Sequence, residues 1–203
     1  MAERVEFNPD AWYLNLVDIS SKPSAERYHG LYNLHTTTLS EYVDALQRMS
    51  ASQVSETSSD GRTRALVVGH ILGWEEWQVQ VFRERNKMES LQKQMQLKNY
   101  VDPVTSVSHD FKSVDDFNEY QARKYSSWNW EDIQGRAITC AQDLGSFFPS
   151  QPVPSWIEFL DSTPLYTWKV TKNSTIVIPW GWYLWMVSLE HEAVEHRKDL
   201  LVV

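Results

Sequence analysis

The chain predicts an all-α protein, a four-helix bundle with long inter-helix connections and a small β-hairpin before the last helix. Three observations carry that expectation. Four long segments repeat apolar residues at helical spacing, two long stretches between them have no period, and a pair of β-rich segments precedes the fourth. The 203 residues suffice for one sizeable core and are short for two, so one domain over 1–203 is expected.

Residues 1–22 contain Pro9 and no clear period, which predicts an N-terminal arm with one helical turn around 11–17. Trp12, Tyr13 and Leu16 would pack it down. Pro23-Ser24 opens the first long helix. From Tyr28 its apolar stripe runs Leu31, His35, Leu39, Tyr42, Leu46, Met49. His35 on that stripe is either a satisfied interior histidine or a pocket-lining acid or base; His29, off it, should be exposed. The polar residues 51–63 predict a loop.

The second helix is expected over 64–92, apolar in its first half and charged in its second. Residues 93–112, with Pro103, predict a connection folding over the bundle. Ser113 before Val-Asp-Asp is an N-cap pattern for the third helix. That helix carries Phe117, Tyr120, Tyr125, Trp128, Ile133, Ala137, Cys140 and Leu144, with a break near 126–130. Pro152, Pro154 and Pro164 mark a second connection, 149–178, whose segments 166–170 and 175–178 predict the hairpin. Pro179 fits the first turn of the fourth helix, from Trp180 to Leu201.

Composition narrows the function classes. A net charge of −8 disfavours nucleic acid and anionic membranes as partners, because both need a basic face. No apolar run reaches about 18 residues, so no membrane-spanning helix is expected. The opening residues lack a basic region followed by an apolar run, so no secretory leader is expected. One cysteine, Cys140, excludes an internal disulfide and suggests a reducing, cytoplasmic setting. Ten Trp, nine Tyr and seven Phe are many for this length. They serve a core, and they also line pockets for small organic molecules or a homodimer interface.

One segment of the second helix, Ala65-Leu-Val-Val-Gly-His-Ile-Leu-Gly-Trp-Glu-Glu-Trp77, places His70, Trp74 and Trp77 on one face. His70 is either a packed core histidine or a ligand pointing inward. In the last helix Glu192 and His196 are four apart and share a face. His191 and His196 are five apart, about 140° around a regular helix, and are not expected to hold one ion. The metal set read from spacing is therefore His70, Glu192 and His196. Two imidazoles and a carboxylate form an open-site ligand set for a divalent ion. The alternative leaves Glu192 on an acidic helix surface with Glu190 and Glu195.

The segment around His70, a histidine followed four residues on by a tryptophan, resembles the second helix of the DinB/YfiT-like superfamily. Glu192-Ala-Val-Glu-His-Arg-Lys-Asp-Leu200 is similar to that superfamily's last-helix motif, His-x-x-x-His followed by a basic residue, with Glu192 where the first histidine would fall. The stretch Val114-Asp-Asp-Phe-Asn-Glu-Tyr-Gln-Ala122 resembles the branch containing the colibactin self-resistance proteins. A His/Glu/His set is similar to that of the mycothiol-dependent maleylpyruvate isomerases.

The resemblance implies a bundle with a central cavity, often dimeric. It also implies a divalent metal, zinc or nickel, held by three side chains. Its members include thiol-dependent transferases and isomerases, and proteins that hydrolyse or detoxify reactive small molecules. No thiol-binding signature is legible, so a thiol cofactor is left open. The function expected is a metal-dependent hydrolase, isomerase or thiol transferase acting on a small, electrophilic molecule. His35 would be its catalytic proton-transfer group if it faces the cavity, and Trp74, Trp77 and Trp185 would line the pocket. The alternatives are a metal-free self-resistance pocket and a non-catalytic dimeric binding bundle.

Overall fold

The structure, a computed structural model, describes residues 7–58, 61–85 and 87–200. The first six residues of the expected arm and the expected helix end at Leu201 lie outside them. The described chain is mostly helical, with two small antiparallel sheets. In chain order the helices are α1 (Pro9–Ser21), α2 (Ser24–Arg48), α3 (Ala51–Val54), α4 (Arg64–Arg83), α5 (Met88–Gln94), α6 (Val114–Tyr125), α7 (Trp130–Ser146), α8 (Pro154–Ser162), α9 (Trp180–Glu190) and α10 (Arg197–Leu200). A π-turn, His191–Glu195, joins the last two. The strands are β1 (Tyr100–Val101), β2 (Ser108–His109), β3 (Leu165–Lys169) and β4 (Thr175–Pro179). Among the described residues no helix is long and apolar enough to cross a membrane.

Several expected elements are subdivided. The second expected helix stops at Arg83, and α5 begins only at Met88. The run Arg83-Glu-Arg-Asn-Lys87 offers no apolar residue to hold another turn against a core. The third is two helices, α6 and α7, with the side chain of Asn129 accepting from the Asp132 N–H to start the second. The arm is a 13-residue helix rather than one turn, capped by Asn8 and burying Leu16 and Ile19. The hairpin pairs Leu165 with Pro179 and Lys169 with Thr175.

The chain divides into two compact units. One comprises the described residues up to Leu34 together with Pro149–Val187. Its buried centre is aromatic: Tyr28 meets Trp185 edge-on at 5.2 Å, and Trp182 lies nearly parallel to Trp185 at 6.3 Å. The Trp182 indole N–H donates to Asp161 at 2.7 Å, while Arg27 lies 4.9 Å over its ring. The start of α9 is satisfied by the Pro164 carbonyl, which accepts from the Trp180 N–H, and by Thr163 Oγ1, which accepts from the Gly181 N–H.

The other unit, His35–Phe148 with Ser188 onward, is built around α4. Val67, Val68, Ile71, Leu72, Glu75, Glu76, Gln78 and Phe82 are all buried, so this helix is enclosed on every side. Small residues let its neighbours approach: a Cβ on Gly69 would lie 2.8 Å from Tyr125 Cβ of α6.

Enclosure leaves Glu76 to be satisfied from other elements. Tyr125 Oη and Lys124 Nζ donate to its Oε2, both at 2.8 Å, Tyr100 Oη at 3.3 Å, and Arg136 Nε donates to Oε1 at 2.9 Å. Lys124 also reaches Asp102 at 2.7 Å. Asp102 accepts from Tyr120 and from the Val104 and Thr105 backbone N–H groups, each at 2.8 Å. Burial alone would raise the Asp102 carboxyl, but Lys124, Thr105 and Tyr120 outweigh it and hold the group well below its ordinary value. Two carboxylates and two cations thus clamp α4, α6, α7 and the 95–112 connection together. Replacing Glu76 by Ala leaves Arg136 without its carboxylate and Lys124 with Asp102 alone, and should cost about 3 kcal/mol in urea unfolding. A loss near zero would show that the network is not structural.

Candidate metal centre

The centre forms where the last helical segment departs from α-geometry. In the π-turn the His196 N–H donates to the His191 carbonyl five residues back, at 3.2 Å. The wider turn holds one extra residue, so side chains five apart stack on one face instead of diverging. The regular-helix argument that separates His191 from His196 therefore does not apply. Their ring centroids lie 4.8 Å apart.

His70 of α4 completes the group. Its ring centroid is 4.9 Å from that of His191 and 5.3 Å from that of His196. The Nε2 atoms of His70 and His191 are 3.1 Å apart. One ring nitrogen from each of the three lies within 4.8 Å of the others. The placement is braced from both sides: Thr63 caps α4 through the Leu66 N–H, and Arg64 Nη1 donates to the Asp199 carbonyl at 2.6 Å. The Asp199 carboxylate is 3.8 Å from His196 Nδ1.

The donor set could hold a divalent ion. Two nitrogens at about 2.0–2.1 Å from one tetrahedral ion stand about 3.4 Å apart, close to the His70–His191 separation. Burial, followed by the charges of His70, His196 and Arg62, holds His191 well below its ordinary value. His191 therefore stays neutral near pH 7, the state in which imidazole offers a lone pair to a metal. His70 and His191 are partly buried and His196 is buried.

Of the residues assigned from spacing, His70 and His196 are brought together. Glu192 stands outside the histidine group, and His191 takes the third place. The buried Glu192 carboxyl instead meets Glu75 of α4. Both are pushed up, Glu75 by burial and then by Glu192, and Glu192 by burial.

His35 lies on α2, buried against Phe148 with ring centroids 5.6 Å apart, and is not part of the histidine group. Trp74 and Trp77 stand edge to face at 5.5 Å, and Trp74 Nε1 donates to Asn118. Trp185 belongs to the other compact unit. Sequence reasoning weighed His191 and set it aside, because a regular helix turns it away from His196, and nothing in the residues announces a π-turn.

Comparison with protein-family models, curated proteins and solved structures finds no match for this chain.

Burial lowers His35 from 6.5 to about 4. Between those values the unfolded chain binds the proton and the folded chain does not, so stability falls as pH falls. It is fully present above 6.5 and declines towards about 4. Going from about pH 7 to about pH 4.5, the native chain should lose about 2–3 kcal/mol more than His35→Leu. Equal losses in urea titrations of the two would contradict a neutral, buried His35.

Proposed function

We propose that the chain is a metal-dependent enzyme acting on a small organic molecule, with a divalent ion, zinc or nickel, held by His70, His191 and His196. The convergence of three ring nitrogens within 4.8 Å carries this reading. The neutral state of His191 and the partial exposure of two of the three rings support it. Such an ion supplies Lewis-acid polarisation of a bound carbonyl, water or thiol. Hydrolysis, isomerisation and thiol transfer all suit that chemistry.

The reading also draws on the DinB/YfiT-like resemblance, which implies a four-helix bundle, a reactive small-molecule substrate and a homodimer. Glu192, not a histidine, occupies the first motif position, and in this proposal His191 supplies the missing imidazole. The single thiol is consistent with a cytoplasmic protein. A metal-free reading has one observation in its favour: the 3.1 Å His70–His191 contact is also a good imidazole–imidazole hydrogen bond.

Elemental analysis of the purified protein separates the two. The proposal expects about one zinc or nickel per chain, lost in His70→Ala, His191→Ala and His196→Ala and retained in Glu192→Gln. Metal kept by His191→Ala and lost in Glu192→Gln would restore the His/Glu/His set. No ion, even after incubation with each metal, would leave the metal-free pocket.

A further inference from the structure

The chain carries a net charge of −8, yet residues 83–98 hold five basic residues against two acidic ones. That basic stretch ends at an open cleft in the unit built around α4. The cleft has a volume of about 630 Å³ and is lined by Lys93, Lys98, Asn99, Ser108, His109 and Asp110. It has the size of a small-molecule site, but every lining residue is polar or charged, which selects a charged ligand.

The backbone assembles this lining. Leu97 is buried and has a φ of +55°, a strained conformation for leucine where glycine is usual. It closes α5: the Leu97 N–H donates to the Gln94 carbonyl, and the Lys98 N–H to the Lys93 carbonyl at 2.8 Å. Two lysines five apart in sequence thereby share one mouth. Asn99, with a φ of +57°, turns the chain into β1, and the pairing of Tyr100 with His109 brings β2 alongside.

The walls are fixed before any ligand arrives. Lys98 Nζ donates to the Phe111 carbonyl at 2.6 Å, which spends one of its three N–H groups. The His109 ring lies nearly parallel to Phe111 at 5.8 Å and stands 4.6 Å from Tyr120, whose hydroxyl is tied to Asp102. Asp110, the one carboxylate of the lining, already accepts from the Asn99 N–H at 2.8 Å. Two ammonium groups and an imidazole therefore dominate what the cleft offers.

We propose that this cleft binds a small organic molecule bearing a phosphate group. The phosphate oxygens accept from Lys93, Lys98 and His109, and the organic part lies along Asn99 and Ser108. A dianion balances two cations, and the volume exceeds what a bare phosphate fills. None of the three clustered histidines lines the cleft, so the assignment stands whether or not they hold an ion.

Calorimetric titration of phenyl phosphate, inorganic phosphate and sulfate into the full chain tests it. Phenyl phosphate should bind with a Kd below about 1 mM and shift the His109 ring signals in NMR. Lys98→Gln should weaken it about tenfold or more, and the exposed Lys93→Gln about threefold. His70→Ala, which disables the histidine centre, should bind it as the native chain does. Circular dichroism reports whether each variant is folded, and Lys93→Gln decides if Lys98→Gln is not. No binding by the native chain would overturn the site, and so would undiminished binding by folded Lys98→Gln or Lys93→Gln. Sulfate bound as tightly as phenyl phosphate would overturn its selectivity for phosphate. Inorganic phosphate bound as tightly would overturn the organic ligand and leave a free-phosphate site. Loss of binding in His70→Ala would move the anion to the histidines.

Discussion

A carboxylate inside a helix that has no wet face is the constraint on which the second compact unit depends. α4 is enclosed all round, so Glu76 cannot turn to water and must be satisfied by the chain itself. It recruits Lys124 and Tyr125 from α6, Arg136 from α7 and Tyr100 from the connection. Asp102 balances the second cation and holds the connection in place. Removing one member leaves the rest buried and unbalanced, which gives the arrangement its rigidity. His70 is carried by the same helix, about one and two-thirds turns earlier.

The second determinant is the π-turn. A continuous α-helix through 191–196 would place His191 and His196 about 140° apart. The extra residue per turn aligns them instead and rotates Glu192 inward, away from the histidines. π-turns store unfavourable backbone geometry and recur at functional sites, and here the altered geometry assembles three imidazoles. Adjacent residues thereby reach two chemically different environments, one of nitrogen donors and one of oxygen.

Much of this was legible in the residues. The α2 stripe is buried at Tyr28, Leu31, His35, Tyr42 and Leu46, with Met49 buried just past the helix end, and the α7 stripe at Ile133, Ala137, Cys140 and Leu144. The Ser113 cap, the break after Tyr125 and the hairpin before Trp180 also stand where local signals put them. Helical periodicity sees only the facing of residues on a regular helix, so it separated His191 from His196 and grouped Glu192 with His196. It assigned no role to Glu75 and Glu76. A different signal lay in the same stretch: apolar residues run all round α4, and a helix apolar all round must bury whatever carboxylates it carries. Which partners meet them depends on long-range packing that no local pattern encodes.

In the proposed centre three imidazoles share one ion because the last helix widens at His191. X-ray absorption at the metal edge of the zinc-loaded chain reads the ligand set. Scattering from three imidazole nitrogens at about 2.0–2.1 Å is expected. Two imidazoles with a carboxylate oxygen in the third place would contradict it, and so would a chain that takes up no zinc.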